Sequence, residues 1–515
     1  MSWSSDFEDK LSGSGSFEPI IVLHVLSWTG TPGSEFYASS APGYGFPEII
    51  GPVLTMNGTT VSPVTWEYTH GTASLEIITD DIGGFNMSAL RGSICEILIG
   101  FAGWDISEFQ PVFVGRIQNI RGAKPNYVLE LWDGTSILDS RLNVGSFTSF
   151  KENRNNLFYN VESTNYTELQ SNYTTSSTAI IVTDHSDLEI ASDGASYPGL
   201  IYVTPSGADP FFLTYTSKAG SVVLNGVTTS DILGTTRSAA SIGTKVYNAA
   251  YLDGNPSSLF MRILTSGSGT GTYDVYPDSF GFGIPSSVID TADVFASYYY
   301  LVSNAGSGSY NMQYGQKDSV SDSWTWFKDF FKSIGVVPVQ RHGRLTFRLI
   351  QDPNNAIVES GVQITDQDIS EVVEWGAYQP DVPAEYQQVR VVGTGLSTST
   401  SIRYPETSPM ADRLTYDNTE KFFQYVSTNI AEIKTRVGPW GPNLPEYVVL
   451  RCAGLRLATL CPLDVVRVTC PAIGKGRIKA TREEGYVNQP CTVLSVSPDF
   501  YSGSVEITLA AIDSL

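Results

Sequence analysis

Short runs rich in Val, Ile, Leu, Phe and Tyr recur along the chain, and Gly, Pro, Asn or Ser stands in nearly every gap between them. Even the longest apolar runs, such as PIIVLHVL at residues 19–26, fall far short of the ~20 residues that carry a helix across a bilayer. Runs this short, broken by turn formers, predict strands of a β-sandwich or barrel. The first block shows the pattern most clearly: PIIVLHVL, then WEYT, ASLEIIT, ICEILIGF, PVFVGRIQNI and YVLELW. In YVLELW the residues Tyr127, Leu129 and Leu131 share one face and Glu130 takes the other. Asp133-Gly134 reads as the turn that closes the block.

Composition supports packed sheets. The chain is 41% hydrophobic and 12% aromatic, which separates it from disordered chains. Only 16% is charged, against the usual ~25%. The formal net charge is −22. Residues 1–140 hold 5 Lys+Arg and 16 Asp+Glu, residues 141–316 hold 7 and 14, and residues 317–515 hold 19 and 23. No block has the positive field that gripping phosphates requires, so tight nucleic-acid binding is not expected.

Six segments follow along the 515 residues. Residues 1–140 read as a first β-barrel domain with an N-terminal tail. Residues 141–177 lose periodicity and read as a linker or irregular segment. Residues 178–250, with TAIIVTD, LIYVT, FFLTYT, SVVLNGV and TKVYNAA, form an inserted small β-domain. Residues 251–316 read as a small α-helical segment: Asn255 and Pro256 open one helix, and Pro285 opens another through Ser297. Residues 317–418 form an α+β domain. Its helix over 321–334 puts Trp324, Phe327, Phe331 and Ile334 on one stripe, and the hairpin VVPVQ-RHGR-LTFRLI follows. Residues 419–515 begin with a predicted helix, TEKFFQYVSTNIAEIKTRV, and end in the strands EYVVLRC, DVVRVTC, CTVLSVS and SVEITLAAI. The fold class expected is mainly β with α+β segments.

No constellation of side chains points to catalysis. His24, His70, His185 and His342 form no H-x-x-x-H pair. His24 lies in an apolar strand and reads as a satisfied structural histidine. His342 lies at a hairpin tip, where exposure is expected. Cys95, Cys452, Cys461, Cys470 and Cys491 lack the paired spacing of a zinc site and read as buried strand thiols. GKGR at Gly474 has Gly476 where a phosphate loop needs Ser or Thr, and GSGTG at Gly267 does not match G-x-G-x-x-G. The pairs Asp80/Asp81 and Glu483/Glu484 read as solvated turns, and Arg477, Lys479 and Arg482 as a charged hairpin loop. No catalytic, cofactor-binding or metal-binding residue is assigned. The opening MSWSSDFEDKLSGSGSFE has no apolar core, so no secretory leader is expected, and synthesis in a reducing cytoplasm is.

The stretch SVVLNGVTTSDILGTTRSAASIGTKVY, residues 221–247, closes the inserted domain. Its Leu224, Gly226, Val227, Gly234, Thr235, Gly243 and Val246 follow an L-x-G-V…G-T…G-x-x-V pattern. After it come an N-P helix start at Asn255 and a G-x-G-I-P run through Gly281, Gly283, Ile284 and Pro285, with Asp290 beyond. The combination resembles the tail hub proteins of tailed bacteriophages, also called baseplate hub or central tail-tip proteins. It departs from them at Ser230 and Asp231, where the family has Arg-Gly, and near Ser241, where it has His. FVGRIQNI with YVLELWDGTSILDSRL resembles the family's first barrel, and PLDVVRVTC with CTVLSVSPDFYSGSVEITL the closing one.

The resemblance implies two barrels per chain, each like one tail-tube subunit, with the small β-domain inserted between them. It also implies a non-enzymatic homo-oligomer, a trimer, forming a ring at the distal end of the tail tube. The implied partners are distal tail or tail tube protein, the tape-measure protein, and tail fibre or receptor-binding proteins. Viral DNA would pass through without specific binding, and no stable membrane insertion is implied. The location would be the virion. A second reading is a tail-tip protein that binds or depolymerises surface glycan through aromatic loops such as Phe36 to Phe46 or Ser297 to Leu301.

Overall fold

The computed structural model describes residues 3–12, 19–26, 36–41, 54–63, 66–78, 90–123, 125–138, 166–185, 188, 199–228, 237–265, 288–296, 312–316, 323–332, 335–357, 359–377, 389–392, 414–417, 423–425, 435–440, 445–473 and 485–512. The fold is mainly β.

The first sheet uses β1 (Pro19–Val25), β2 (Phe36–Ser39), β3 (Thr55–Asn57), β6 (Thr72–Ile78), β7 (Ile94–Phe101), β8 (Gln110–Ala123) and β9 (Asn126–Asp133). Its spatial order is β2-β1-β7-β8-β9-β6-β3. The small hairpin β4 (Thr60–Val61) and β5 (Tyr68–Thr69) stands beside it. Strand β6 alternates strictly: Ala73, Leu75 and Ile77 are buried and their neighbours half-buried, the period of a strand with one covered face. PIIVLHV does not alternate because both of its faces are covered. Ile21, Leu23 and Val25 enter the main core, while Ile20 and Val22 pack with Leu98 and Phe109.

The second sheet uses β20 (Gln363–Thr365), β21 (Ile369–Ala377), β25 (Glu446–Ala453), β26 (Val465–Cys470), β27 (Tyr486–Asp499) and β28 (Ser504–Ala511). Its order is β20-β26-β27-β28-β25-β21.

Five strands of each sheet share one plan. In the first sheet the order β7-β8-β9-β6-β3 is drawn from chain order β3, β6, β7, β8, β9. In the second, β26-β27-β28-β25-β21 is drawn from β21, β25, β26, β27, β28. The long strands β8 and β27 both have 14 residues, and the partners β9 and β28 both have 8. Both long strands carry a bulge at the same place. Pairing steps from Ile117↔Leu131 to Asn119↔Glu130 in one sheet and from Val493↔Leu509 to Ser495↔Thr508 in the other. Gln118 and Leu494 are therefore equivalent extra residues, each the ninth of its strand, and each bends its sheet. The outermost additions differ: β1 joins β7 antiparallel, whereas β20 joins β26 parallel. Neither hydrogen-bonded ladder closes on itself among the described residues.

The two repeats share a single apolar core. Leu75, Ile97 and Leu129 belong to the same buried cluster as Val448, Leu450, Val493 and Ile507. The helix α1 (Ser5–Ser12) adds Phe7 and Leu11 to it.

Between the repeats lie two smaller assemblies. One sheet runs β13 (Phe211–Tyr215), β12 (Gly199–Thr204), β16 (Lys245–Gly254), β17 (Met312–Gln316) and β24 (Phe423–Tyr425), with β10 (Tyr166–Glu168) also on β16. Beside it stand β11 (Ala179–Ile181), β15 (Val223–Asn225) and β14 (Ser217–Ala219). The other assembly is α2 (Pro256–Thr265), α3 (Ser323–Lys332) and the hairpin β18 (Val336–Arg341)–β19 (Arg344–Leu349). Asn255 caps α2, its Oδ1 accepting from Ser258 N at 2.8 Å, with Pro256 in the first turn. Phe260 of α2 meets Phe327 and Phe331 of α3 and Phe347 of β19, with centroids 5.1–5.5 Å apart. Trp326 and Phe330 are buried too, so the aromatic face of α3 is wider than one stripe. The side chain of Trp324 and all of Ile334 lie outside the described residues.

Three sequence expectations need correction. The linker expected over 141–177 holds strand β10 and the bridges Leu169↔Val182 and Tyr173↔Ala240, so the small β-domain starts by Tyr166. Its polar Thr and Tyr residues hide the pattern because only three positions pair. The helix expected over 419–437 contains strand β24 at Phe423–Tyr425, paired with β17, and is helical only at residues 435–437 among those described. Tertiary pairing overrides the 3.6-residue spacing there. The closing sheet, expected within 419–515, also draws β20 and β21 from the preceding segment. The helix expected from Pro285 to Ser297 is α-helical over residues 291–296 alone among those described: Ile289 instead bridges to Leu345, and Asp290 precedes the helix, its Oδ1 accepting from Asp293 N at 3.2 Å.

Candidate functional site at the junction of the two sheets

The hairpin β18–β19 is the wedge that joins the repeats. Its tip, His342-Gly343, has φ of 47° and 74°, a mirror-image turn in which glycine is cheap and other residues are strained. A β-carbon on Gly343 would stand 2.9 Å from Phe113 N of β8, so the tip is pressed against the first sheet. Gln340 Nε2 donates to Val114 O at 2.6 Å on the same strand.

His342 closes the other side. Its Nε2–H donates to Thr459 O at 3.0 Å, in the 3-10 turn Arg456–Thr459 of the second repeat. Its ring stacks on Trp3 at 4.2 Å, and Trp3 Nε1 donates to Pro111 O at 2.9 Å. One imidazole therefore touches the N-terminal segment, the hairpin and the second repeat. The expected exposure of His342 is overturned: it is 8% exposed. Burial, reinforced by the Arg341 charge, pushes its pKa down to about 3, so the ring is neutral.

Beside it lies a cleft of about 390 Å³, lined in part by Glu8, Asp293, Arg341, Arg348 and Asp464. Asp293, in the helix at residues 291–296, is the hub. Its Oδ1 accepts from Arg341 Nη1 at 2.5 Å and Arg348 Nη1 at 2.8 Å, and its Oδ2 accepts from Thr346 Oγ1 at 2.7 Å. Burial would lift this carboxyl, but the two guanidiniums and the hydroxyl outweigh it and hold it below the usual carboxylate range. Arg348 Nε also lies 3.3 Å from Asp464 Oδ1. Burial pushes Asp464 up against the pull of Arg348, while its Oδ2 accepts from Cys461 N at 2.8 Å. Two cations and two carboxyls are thus paired in one buried cluster, an arrangement that fixes the geometry of the junction.

The other residues singled out from sequence are scattered. His24 Nδ1 lies 2.8 Å from Glu96 Oε1 across β1 and β7, and its ring stacks on Tyr37 at 4.3 Å. His70 Nδ1 lies 2.8 Å from Thr135 Oγ1. Asp133, completely buried, accepts from Thr59 Oγ1, Gly71 N, Thr135 N and Thr135 Oγ1. A carboxylate with its lone pairs so occupied anchors the corner where β9 meets the 3-10 helix Gly134–Leu138. His185 is buried in the small β-domain. All five cysteines are free and buried. Asp80, Asp81, Glu483, Glu484, Arg477, Lys479, Arg482 and the Gly267 and Gly474 runs lie outside the described residues, as do Ser297 to Leu301 and residues 42–46 of the other aromatic loop.

Sequence reasoning missed the Asp293 cluster. The available signal was LTFRLI: Thr346 and Arg348 alternate with Leu345, Phe347 and Leu349, and the polar face reads as solvent-facing until Asp293 of the 291–296 helix and Asp464 meet it.

Among the described residues, no helix is long and apolar enough to cross a membrane, and no group of three metal-ligating side chains converges. No protein-family model and no curated protein matches the chain. Among solved structures, it is similar to the 43 kDa tail protein of prophage MuSo2 from Shewanella oneidensis, at 10% identity, covering 96% of this chain and 100% of that one, with a TM-score of 0.37. It is also similar to a chain of the native gene transfer agent virion, at 9% identity, covering 48% of this chain and 84% of that one, with a TM-score of 0.18. Scores this low establish neither a shared fold nor a shared role.

Proposed function

We propose that this chain is a structural protein of a phage-type tail tip, a hub whose two repeats act as two ring units. The observation that carries the reading is the repeated five-strand plan with its bulge at the same position of β8 and β27. Two similar units held by one core at a fixed angle suit a ring in which three chains supply six units. Such a ring matches a six-fold tail tube with half the number of subunits.

The chemistry at the junction supports a structural role over a catalytic one. Its charges pair with each other, its histidine is neutral, and its cleft is bridged by three separate parts of the chain. In this reading the ring binds tail tube or distal tail protein on one side and fibre or receptor-binding proteins on the other. The tape-measure protein ends at its pore, and DNA passes along a wall too acidic to hold it. The protein resides in the virion.

The test is solution mass and image. Light scattering on the purified chain should give three times the 56.0 kDa chain mass, and negative-stain averages should show a ring with an open centre. A monomer at every concentration, with no joining to tail components, would end the proposal.

One feature favours the glycan-binding alternative. Tyr202, Tyr247 and Tyr166 stand side by side across β12, β16 and β10, with Tyr166 47% exposed and Lys245 Nζ 4.1 Å from its ring centre. Clearing of host envelope glycan in a zymogram, lost in Tyr166→Ala, would move the reading toward it.

A further inference from the structure

One row of aromatic side chains crosses four strands of the small β-domain. Register pairs Tyr166 of β10 with Tyr247 of β16, Tyr247 with Tyr202 of β12, and Tyr202 with Phe212 of β13. Residues paired across strands share a face, so the four stand abreast. Ring centres are 5.7 Å apart between Tyr166 and Tyr247 and 4.8 Å between Tyr202 and Phe212, with planes inclined by 55° and 49°. Exposure rises along the row: Phe212 is fully buried, Tyr202 and Tyr247 are half-buried, and Tyr166 is 47% exposed.

The rows on either side differ. On one side, Leu200 and Ala249 are register partners and both are buried. On the other, Glu168, Lys245 and Thr204 are register partners, and all three reach solvent. Lys245 Nζ sits 4.1 Å from the centre of the Tyr166 ring, a cation against its electron-rich face. Among the described residues, the hydroxyls of Tyr166 and Tyr247, the Glu168 carboxyl and the Lys245 amine make no hydrogen bond to the chain.

The face is therefore apolar along one line and rich in spare donors and acceptors along the next. A pyranose is divided in the same way, with C–H bonds on its flat side and hydroxyls around its edge. A nucleic-acid strand also stacks on aromatic rows, but it would set phosphates against Glu168 on a chain of net charge −22. Neighbouring strands stand about 4.8 Å apart, close to the advance of one sugar along an extended β-1,4-linked chain. The inclined rings suit a single free chain, which twists from ring to ring, over the flat side of a packed polymer.

We propose that this face is a carbohydrate-binding site. A soluble β-1,4-linked glycan lies across the strands, with successive sugars on Tyr166, Tyr247 and Tyr202 and its hydroxyls meeting Glu168, Lys245 and Thr204. The proposal deepens the second reading above, takes its tyrosine row as a site of binding without cleavage, and is independent of the ring.

Affinity electrophoresis of the full chain tests it, with glycol chitin or hydroxyethyl cellulose cast in the gel as probe. Retardation by at least one polymer is expected, and free chitohexaose or cellohexaose should relieve it. Tyr166→Ala and Tyr247→Ala should each weaken binding about tenfold. Tyr166→Phe keeps the ring and should keep most of the binding. Tyr166→Ala removes an exposed side chain, so its melting temperature should match that of the wild type. Migration that neither polymer slows overturns the proposal, as does equal retardation of the wild type and Tyr166→Ala. Release of reducing ends from either hexasaccharide overturns binding without cleavage. A fall in solution mass in Tyr166→Ala makes the row a subunit contact and also overturns the site. Retardation of a wild-type chain that stays monomeric supports the site while ending the ring.

Discussion

His342 occupies a backbone conformation that costs a side chain, φ 47°, because the turn must bring the hairpin tip onto β8 while the imidazole fills the gap under Trp3. Its neutrality makes it a source of acid sensitivity. The folded pKa is lowered to about 3 from 6.5, so between those values the unfolded chain binds the extra proton. The stability due to this residue is complete above pH 6.5 and falls as pH drops toward 3, by up to about 1.4 kcal/mol per pH unit. His342→Asn tolerates the left-handed backbone and has an amide to offer Thr459. Urea midpoints taken from pH 7.5 to 4.5 should show a shallower decline for it than for the wild type. Asp293 is the second residue on which the junction turns. Asp293→Ala leaves Arg348 buried without its hydrogen-bonded carboxylate and Arg341 without its ion pair, and a loss of about 3–5 kcal/mol in unfolding free energy is expected by denaturant titration. An unchanged midpoint would mean that the cluster contributes geometry without stability.

At the scale of elements, close approach between the repeats depends on a glycine with an ordinary backbone. Gly58 has no β-carbon to meet Val496 O, and both sides of that contact are main chain, which cannot swing away. Gly58→Ala should cost about 1–3 kcal/mol and open the angle between the sheets, detectable as faster hydrogen exchange along β27. The bulges act differently. Leu494 is the unpaired residue between Val493↔Leu509 and Ser495↔Thr508, so deleting it keeps every pair and every side-chain face and removes the bend alone. A cooperative transition at a lowered midpoint is the expected outcome, read by calorimetry, because a flattened sheet fits the shared core less well. Deleting Gln118, the equivalent residue of the first repeat, should have the same effect, and a tolerated deletion at either site would argue against the repeat as a functional unit.

For the whole molecule, charge sets the behaviour toward DNA. A net −22 on 515 residues repels phosphate at every distance that salt leaves unscreened. Gel-shift titration of the purified protein with duplex DNA at physiological salt should leave the DNA free. Retention at micromolar protein would mean that basic residues converge on one surface, and would count against the passive passage of the proposed ring. The single core shared by both repeats also predicts one unfolding transition for the two sheets, because neither can expose its strands without uncovering the other.

The β class and most strand positions are legible in residue order alone. SVEITLAAI and ASLEIIT alternate because one face of each is covered, and that period is local. Residue order also determined the caps of α2 and the mirror turn at His342-Gly343, since Asn, Pro and Gly act within a few residues of themselves. Which segments pair, and what is buried, is set by contacts between distant parts of the chain. Phe423–Tyr425 became a strand because β17 offers it an edge, and Tyr166–Glu168 because β16 does. His342 was drawn inside by Trp3 and the turn at Thr459, and Thr346 and Arg348 were turned into the anchors of Asp293, because distant segments cover a face that the hairpin alone would leave in water. Pairing and burial depend on residues tens to hundreds of positions away, and the spacing of apolar residues within one segment carries no record of them.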